Sequence, residues 1–398
     1  MKGYPLYKSS RVKWLGEIPI DWECKTLKRI TKFAYGDSLS DENRKGGDVP
    51  VYGSNGVVGF HDIPITKAPC IIVGRKGSYG RVNFSEIPCF PIDTSYFIDS
   101  TKTNCNLYWL KYFLSILRLD ENTLDDMVPG LSREWAYRMP GLIISLPEQN
   151  SIVRFLDHKT GHIDRFVANR HKQIELLKEQ KAGIINKAVI KGIDSDVKMK
   201  PSGIEWIKEI PDEWEVLKLK FVAKLQSGEG ITSDDIKEVG DYPVYGGNGI
   251  RGFTGSYTND GEFVLIGRQG ALCGNINYAS GKFWASEHAV VTYLRKPTSI
   301  LWLGELLKVM NLNQYSQAAA QPGLSVERIK NLSIPYPNYQ EQSKIELLIR
   351  TETSSIDSLI SKYQKQIILM QEYRTSLISH TVTGKIDVRD WKPKIKNN

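Results

Sequence analysis

The sequence contains neither an N-P-P-Y nor a D-P-P-Y tetrapeptide of amino-methyltransferases, and no G-x-x-x-x-G-K-S/T phosphate loop. A chain without them is not expected to methylate, cut or hydrolyse nucleotide by itself. Nowhere do about 18 apolar residues run together, and Met1 to Lys13 has no apolar stretch behind its positive charges, so the expectation is a cytoplasmic protein with no membrane partner. The five cysteines (Cys24, Cys70, Cys89, Cys105, Cys273) are odd in number and never approach C-x-x-C spacing. They are read as reduced core or loop thiols. The six histidines are read as lacking metal-ligand spacing, so neither a disulfide framework nor a metal site is expected.

Two further signatures do not hold. Gly247-Asn248-Gly249-Ile250-Arg251-Gly252 fits G-x-G-x-x-G, but it leads into FTGSYTND rather than a helix, so it reads as a turn and not a dinucleotide site. Glu23-Cys24-Lys25 resembles half of a nuclease motif, but its duplicate is Glu215-Val216-Leu217.

That duplicate belongs to the main feature of the chain, a tandem repeat. SRVKWLGEIPIDWE from Ser10 returns from Ser202 as SGIEWIKEIPDEWE, an offset of 192. VPVYGSNGVVGF from Val49 returns as YPVYGGNGIRGF from Tyr242, and IVGRKG from Ile72 as LIGRQG from Leu265, each offset by 193. PGLS from Pro129 and Glu148-Gln149 return at the same offset, as PGLS from Pro322 and Glu341-Gln342. This period far exceeds the roughly 20 to 50 residues of a solenoid repeat, so each copy is a domain with an appendage. Trp14 and Trp22, with Trp206 and Trp214, read as core anchors around the repeated Ile-Pro turn.

Within each copy the first part has short Gly-, Tyr-, Val- and Ile-rich runs broken by turn residues, the pattern of short strands. A helical patch follows near Asn106 to Leu119 and Ile300 to Leu312. From Glu148 the pattern changes to a heptad seam: Ile152, Leu156, Ile163, Val167, Ile174, Leu177, Ile184 and Ala188, with Arg170 and Lys181 in the remaining slots. The second copy keeps it from Ile345 to Thr381, and Gly192 and Gly384 are plausible helix stops. Forty residues of helix span about 60 Å and need a partner for their apolar stripe. Antiparallel pairing of the two would give a pseudo-twofold relation between the copies; the alternative is that each helix folds back on its own domain. The expected organisation is a mixed α/β domain over 1–147, a long helix over 148–191, a linker and second α/β domain over 192–340, a second helix over 341–384 and a tail over 385–398.

At 398 residues, with 41% hydrophobic and 25% charged residues, the chain can build two or three cores. Fifty-three Lys and Arg against 45 Asp and Glu give a net charge of +8, which favours a polyanionic partner. The residues best suited to nucleic acid lie in the strand-turn segments. Arg75, Lys76, Ser78, Tyr79 and Arg81 sit among Gly74, Gly77 and Gly80, where the backbone can approach a phosphate and a cation can reach guanine. The second copy keeps Arg268 but has Gln269, suited to adenine, in place of Lys76. The shared arginines read as phosphate contacts and their changed neighbours as base readers. Asn55 and Asn248 occupy equivalent turns, Thr94 and Ser95 give way near Glu287 and His288, and Arg133 after PGLS is matched by Val326 with Arg328 nearby.

The openings IPIDWE and IPDEWE, the two PGLS segments, the EQ-initiated helices and their tails INKAVIKGI and ISHTVTGKI together resemble the specificity subunit of Type I restriction-modification systems over essentially the whole chain. The resemblance implies two target-recognition domains, each reading one half of a bipartite asymmetric site in double-stranded DNA, with the helices as a ruler. It implies no catalytic or metal residue and no cofactor on this chain. Two methyltransferase subunits using S-adenosylmethionine, and restriction/translocase subunits using ATP and Mg, would supply the chemistry. Alternatives are the specificity component of a related system that cuts near its site, a self-contained DNA-modifying enzyme, and a coiled-coil scaffold that does not touch DNA.

Overall fold

A computed structural model describes residues 2–121, 130–270, 272–316 and 323–393. Pro129 and Pro322 of the PGLS segments and the end of the tail lie outside the described residues. The chain divides into two compact units, Met1–Arg170 with Gln364–Asn398, and His171–Tyr363.

In the first unit Ala34–Tyr35, Ser95–Ile98, Cys70–Gly74 and Val82–Ser85 form, in that order, an antiparallel sheet. Its middle strands are the apolar runs CIIVG and SYFI, buried throughout. The hairpin Val49–Gly53/Gly56–His61 takes Phe90–Pro91 as a parallel third strand, with a register shift at Val51/Tyr52. Helix Leu107–Ser115 starts where the Asn106 side chain accepts from Tyr108 N and Trp109 N, an N-cap that holds two otherwise orphaned donors.

The second unit repeats this arrangement. Ala223–Ser227, Ala289–Leu294, Phe263–Gly267 and Ile276–Ala279 form the equivalent sheet. The hairpin Tyr242–Gly246/Gly249–Thr254 takes Lys282–Ala285 in parallel, with the same register shift at Val244/Tyr245. Gly247-Asn248 is therefore the hairpin turn, and Gly249 to Gly252 opens the strand that follows. Glu23-Cys24-Lys25 is likewise ordinary strand, paired to Pro140–Ile143.

The heptad seams are helices, Leu146–Lys191 and Tyr339–Val382. Every seam position named in the first is at least partly shielded, and Ile152, Leu156, Ile163, Ile174 and Ala188 are fully buried. Pairing is antiparallel in each unit. In the first, Arg374 Nε donates to Asp164 at 3.0 Å and Trp391 packs edge-on against Phe155. In the second, Lys181 reaches Asp357 at 2.6 Å, and Ala188 and Val189 share a core with Ile345 and Ile349.

The Glu-Gln pairs that open both helices have a structural reason. Gln149 is buried, accepting from Asn106 N at 2.7 Å and donating to Ile144 O at 3.0 Å. Gln342 does the same with Ser299 N (2.9 Å) and Pro337 O (2.8 Å). Each glutamine ties the start of the short helix to the start of the long one, satisfying main-chain groups that burial would otherwise orphan.

Two expectations need correction. Trp22 and Trp214 are core residues and Trp206 packs partly against the second core, but Trp14 is 48% exposed. The histidines do contain one pair at a ligand-like spacing: His158 and His162 lie one helical turn apart with Nε2 atoms 3.3 Å from each other. Among the described residues no group of three or more His, Cys, Asp or Glu side chains is placed to hold a metal ion, and no helix is long and apolar enough to cross a membrane.

Candidate nucleic-acid interface

Each unit carries the same turn scaffold with different side chains. In the first, Arg75 N–H donates to Thr94 O (2.8 Å), Leu131 N–H donates to Arg75 O (2.8 Å), and Lys76 bridges to Gly130. In the second, Arg268 N–H donates to His288 O (2.8 Å), Leu324 N–H to Arg268 O (2.8 Å), and Gln269 bridges to Gly323. A corresponding bond closes each loop, Gly80 N–H on Gly74 O at 2.8 Å and Gly274 N–H on Gly267 O at 2.7 Å, the second loop being one residue longer. Main-chain bonds of this kind hold the loop whatever the side chains, which leaves the side chains free to vary.

Outside this frame the loops touch the hairpin turn. Arg81 Nη1 donates to Asn55 Oδ1 in the first unit, and Asn275 Nδ2 donates to Asn248 Oδ1 at 2.5 Å in the second. Asn55, Lys76, Ser78 and Arg81 are exposed, as are Asn248 and Gln269, while Tyr79 packs part of its ring on the core. The structure thus brings Asn55, Arg75, Lys76, Ser78, Tyr79, Arg81 and Thr94 together, and Asn248, Arg268, Gln269 and His288 likewise. In the second unit Asn248, Arg251, Gln269 and His288 line a concavity of about 620 Å³ together with Gly247 and Gly270. Its walls offer amide, guanidinium and imidazole groups, the set that reads base edges.

The correspondence of the variable pair shifts by one residue. The shared carbonyl acceptors make Thr94 the counterpart of His288, and so Asp93 that of Glu287 and Ser95 that of Ala289. Ser95 is consequently a correction. It is fully buried, and its hydroxyl donates to Ile92 O at 2.8 Å inside the sheet, so it faces no ligand. Glu287 and His288 pair with each other at 3.0 Å. Arg328 is exposed on the short helix Val326–Ile329, its guanidinium over the Tyr315 ring and donating to Tyr315 O at 3.2 Å.

Arg133 and Arg75 meet at a residue that sequence reasoning missed. The guanidinium carbons of both lie over the Tyr35 ring, at 4.7 and 5.0 Å from its centroid. Arg75 Nη1 also donates to Asp93 O at 3.0 Å. In the second unit Arg268 instead donates to the Ser227 hydroxyl at 3.2 Å, Ser227 occupying the strand position of Tyr35. The available signal was AYGD against QSGE, a divergence immediately before a shared glycine. Below Tyr35, burial pushes the Tyr96 phenol up to about 12, reinforced by Tyr35 and opposed by the two arginine charges.

The two units are built on one scaffold, and each presents its own cationic and amide-bearing turn cluster. Residues 211–359 match the family described as the Type I restriction modification DNA specificity domain. The chain is 38% identical to the type I restriction enzyme EcoprrI specificity subunit of Escherichia coli over 37% of its own length and 40% of that relative's, so this alignment spans well under half of the relative. At 23% identity it aligns over 94% of its length with 96% of the putative type I restriction enzyme MjaX specificity subunit of Methanocaldococcus jannaschii. A chain solved in work on complex assembly and conformational transition of the type I R-M system shares the fold at a TM-score of 0.71, with 12% identity over 93% of this chain and 99% of that one. The HsdS subunit from Thermoanaerobacter tengcongensis aligns at a TM-score of 0.52, also with 12% identity, over 93% and 98%. The second copy thus matches the Type I specificity domain, and the chain as a whole is similar to type I specificity subunits.

Proposed function

We propose that this chain is the non-catalytic DNA sequence-specificity subunit of a Type I restriction-modification complex, each unit reading one half of a bipartite asymmetric target. The observation that carries the reading is the pair of turn clusters: matching main-chain bonds at Arg75 and Arg268, with Lys76, Thr94 and Arg81 exchanged for Gln269, His288 and Asn275. A conserved backbone frame with exchanged polar tips is what two different half-sites require, since phosphate contacts set register and base contacts set sequence. Methyltransferase subunits holding S-adenosylmethionine would dock on this chain, and restriction/translocase subunits would bring ATP and Mg.

The test is a domain exchange. Replacing residues 38–140 by the equivalent segment of a relative and mapping methylated adenines in cells should change one half of the methylated motif and leave the other intact. The purified chain, given labelled S-adenosylmethionine and duplex DNA without partners, should transfer no methyl group. A change in both halves, or methylation by the chain alone, refutes the reading.

A further inference from the structure

The two units differ where Tyr35 stands, the second having Ser227 there. Beneath it, in the first unit, aromatic rings run in series: Tyr35 to Tyr96 at 5.1 Å between centroids, Tyr96 to Phe33 at 5.9 Å and Phe33 to Tyr137 at 5.8 Å. Phe33 and Tyr96 are buried, whereas Tyr35 is 46% exposed at the end of the series. The Phe33 amide donates to the Tyr137 hydroxyl at 3.1 Å and Tyr96 donates to Leu131 O at 3.1 Å, so the rings are fixed to the main chain. The positions equivalent to Phe33, Tyr35, Tyr96, Arg133 and Tyr137 in the second copy are Leu225, Ser227, Val290, Val326 and Lys330. Aromatic series and second arginine are therefore present together in one unit and absent together from the other.

We propose that Tyr35 is a positioning residue that holds Arg75 and Arg133 as a two-arginine clamp for the DNA backbone, so that the first unit grips its half-site with two fixed guanidiniums and the second unit with one. The inference rests on the DNA-reading function proposed above. Both guanidiniums approach one ring centroid to 5.0 Å or less, which places their carbons within about 10 Å of each other. Phosphates on one strand advance about 3.4 Å each along the duplex axis, so neighbouring phosphates suit such a pair. Among the described residues Arg75 has no carboxylate within ion-pair distance, and the nearest to Arg133, Glu134, is 3.9 Å away. The like charges share a ring face, with only Glu134 beside Arg133 at the edge of ion-pair distance, which leaves most of their charge to be neutralised by an incoming anion. Preorganisation lowers the ordering cost of binding, and this is the part that the ring supplies.

The experiment measures affinity of the full chain for duplex DNA carrying the mapped methylation motif, at several salt concentrations, with thermal melting as a folding control. Tyr35→Phe keeps the ring and should bind as the parent does. Tyr35→Ser, the residue of the second unit, should weaken binding about three- to tenfold with an unchanged melting temperature. Arg133→Val should weaken it similarly and flatten the salt slope by about one counterion. The double variant should lose less than the product of the two. If the parent binds DNA with a normal salt slope but Tyr35→Ser and Arg133→Val bind as well as it does, the clamp is refuted while the specificity function stands. Multiplicative losses refute coupling through the ring. A parent chain without salt-sensitive DNA binding refutes both.

Discussion

Gly384 lies directly against the Trp22 ring: a Cβ added to it would sit 3.0 Å from Trp22 Cζ3 and 2.4 Å from Pro19 Cδ. In the other unit Gly192 faces Trp214 and Pro211 in the same way, with more room, at 3.3 and 3.9 Å. Both glycines close their helices in the left-handed region, at φ +76° and +75°. The end of each long helix thus seats on the Ile-Pro-x-x-Trp turn that opens a domain, with Tyr7 Oη donating to Gly384 O at 3.1 Å. Either Gly→Ala substitution should cost about 1–3 kcal/mol for the backbone conformation alone. Gly384→Ala should cost more than Gly192→Ala, because proline and tryptophan rings cannot yield. Denaturation midpoints of the two variants read the difference, and equal midpoints would rule out the contact as its source.

Gln149→Ala and Gln342→Ala should each destabilise the protein by about 1–3 kcal/mol, the cost of leaving buried main-chain groups unpaired. Replacement by Glu should not rescue either variant, since a carboxylate can accept from Asn106 N or Ser299 N but cannot donate to Ile144 O or Pro337 O. Chemical denaturation measures all four, and a stable Glu variant would show that the donated bond carries no weight.

Asp99 makes stability depend on acid. Burial pushes its carboxyl up, but hydrogen bonds from the Thr101 hydroxyl (2.6 Å) and the Lys67 and Thr101 amides (3.0 and 2.9 Å), with the Lys102 charge, outweigh it and hold it below the usual carboxylate range. A depressed carboxyl contributes stability that is present above its unfolded value, roughly pH 3.9, and is lost as pH falls through the folded one. Asp99→Asn should therefore lower the melting temperature at pH 7 and narrow the gap to the parent as pH drops towards 3. A gap constant with pH would contradict this.

For DNA, Arg75→Ala and Arg268→Ala should weaken binding to all sequences and flatten the salt slope, by about one counterion for each phosphate contact removed. Gln269→Ala should instead relax preference at one position of one half-site, at about 1–3 kcal/mol of discrimination. Binding titrations on matched and mismatched duplexes separate the two patterns; parent-like behaviour of every variant would take these turns out of the interface.

Much of the architecture was legible because its signals are periodic or repeated. The seam Ile152 to Ala188 announces a helix from its spacing alone, and duplicate turns at Asn55 and Asn248 announce one scaffold used twice. The interface was legible in its loops, where glycine and arginine mark a turn that can approach phosphate. It was not legible at Ser95, where a strand's period decides which of two adjacent polar residues faces inward. Nor was it legible at Trp14, whose twin motif suggested burial, or at Tyr35, whose role depends on arginines 40 and 98 positions away in the chain.

By itself the sequence determined the local elements: two copies, two long helices, two glycine stops and two cationic turns, because each follows from propensity and spacing within a few turns of chain. Only the tertiary structure decided which groups meet. It set Gly384 beside Trp22, tied Asp164 to Arg374 and Lys181 to Asp357 with helices antiparallel in each unit, and stacked Arg75 and Arg133 on one ring. Those contacts join residues from some forty to some 360 positions apart, and packing of buried faces, which no local pattern encodes, is what selects them.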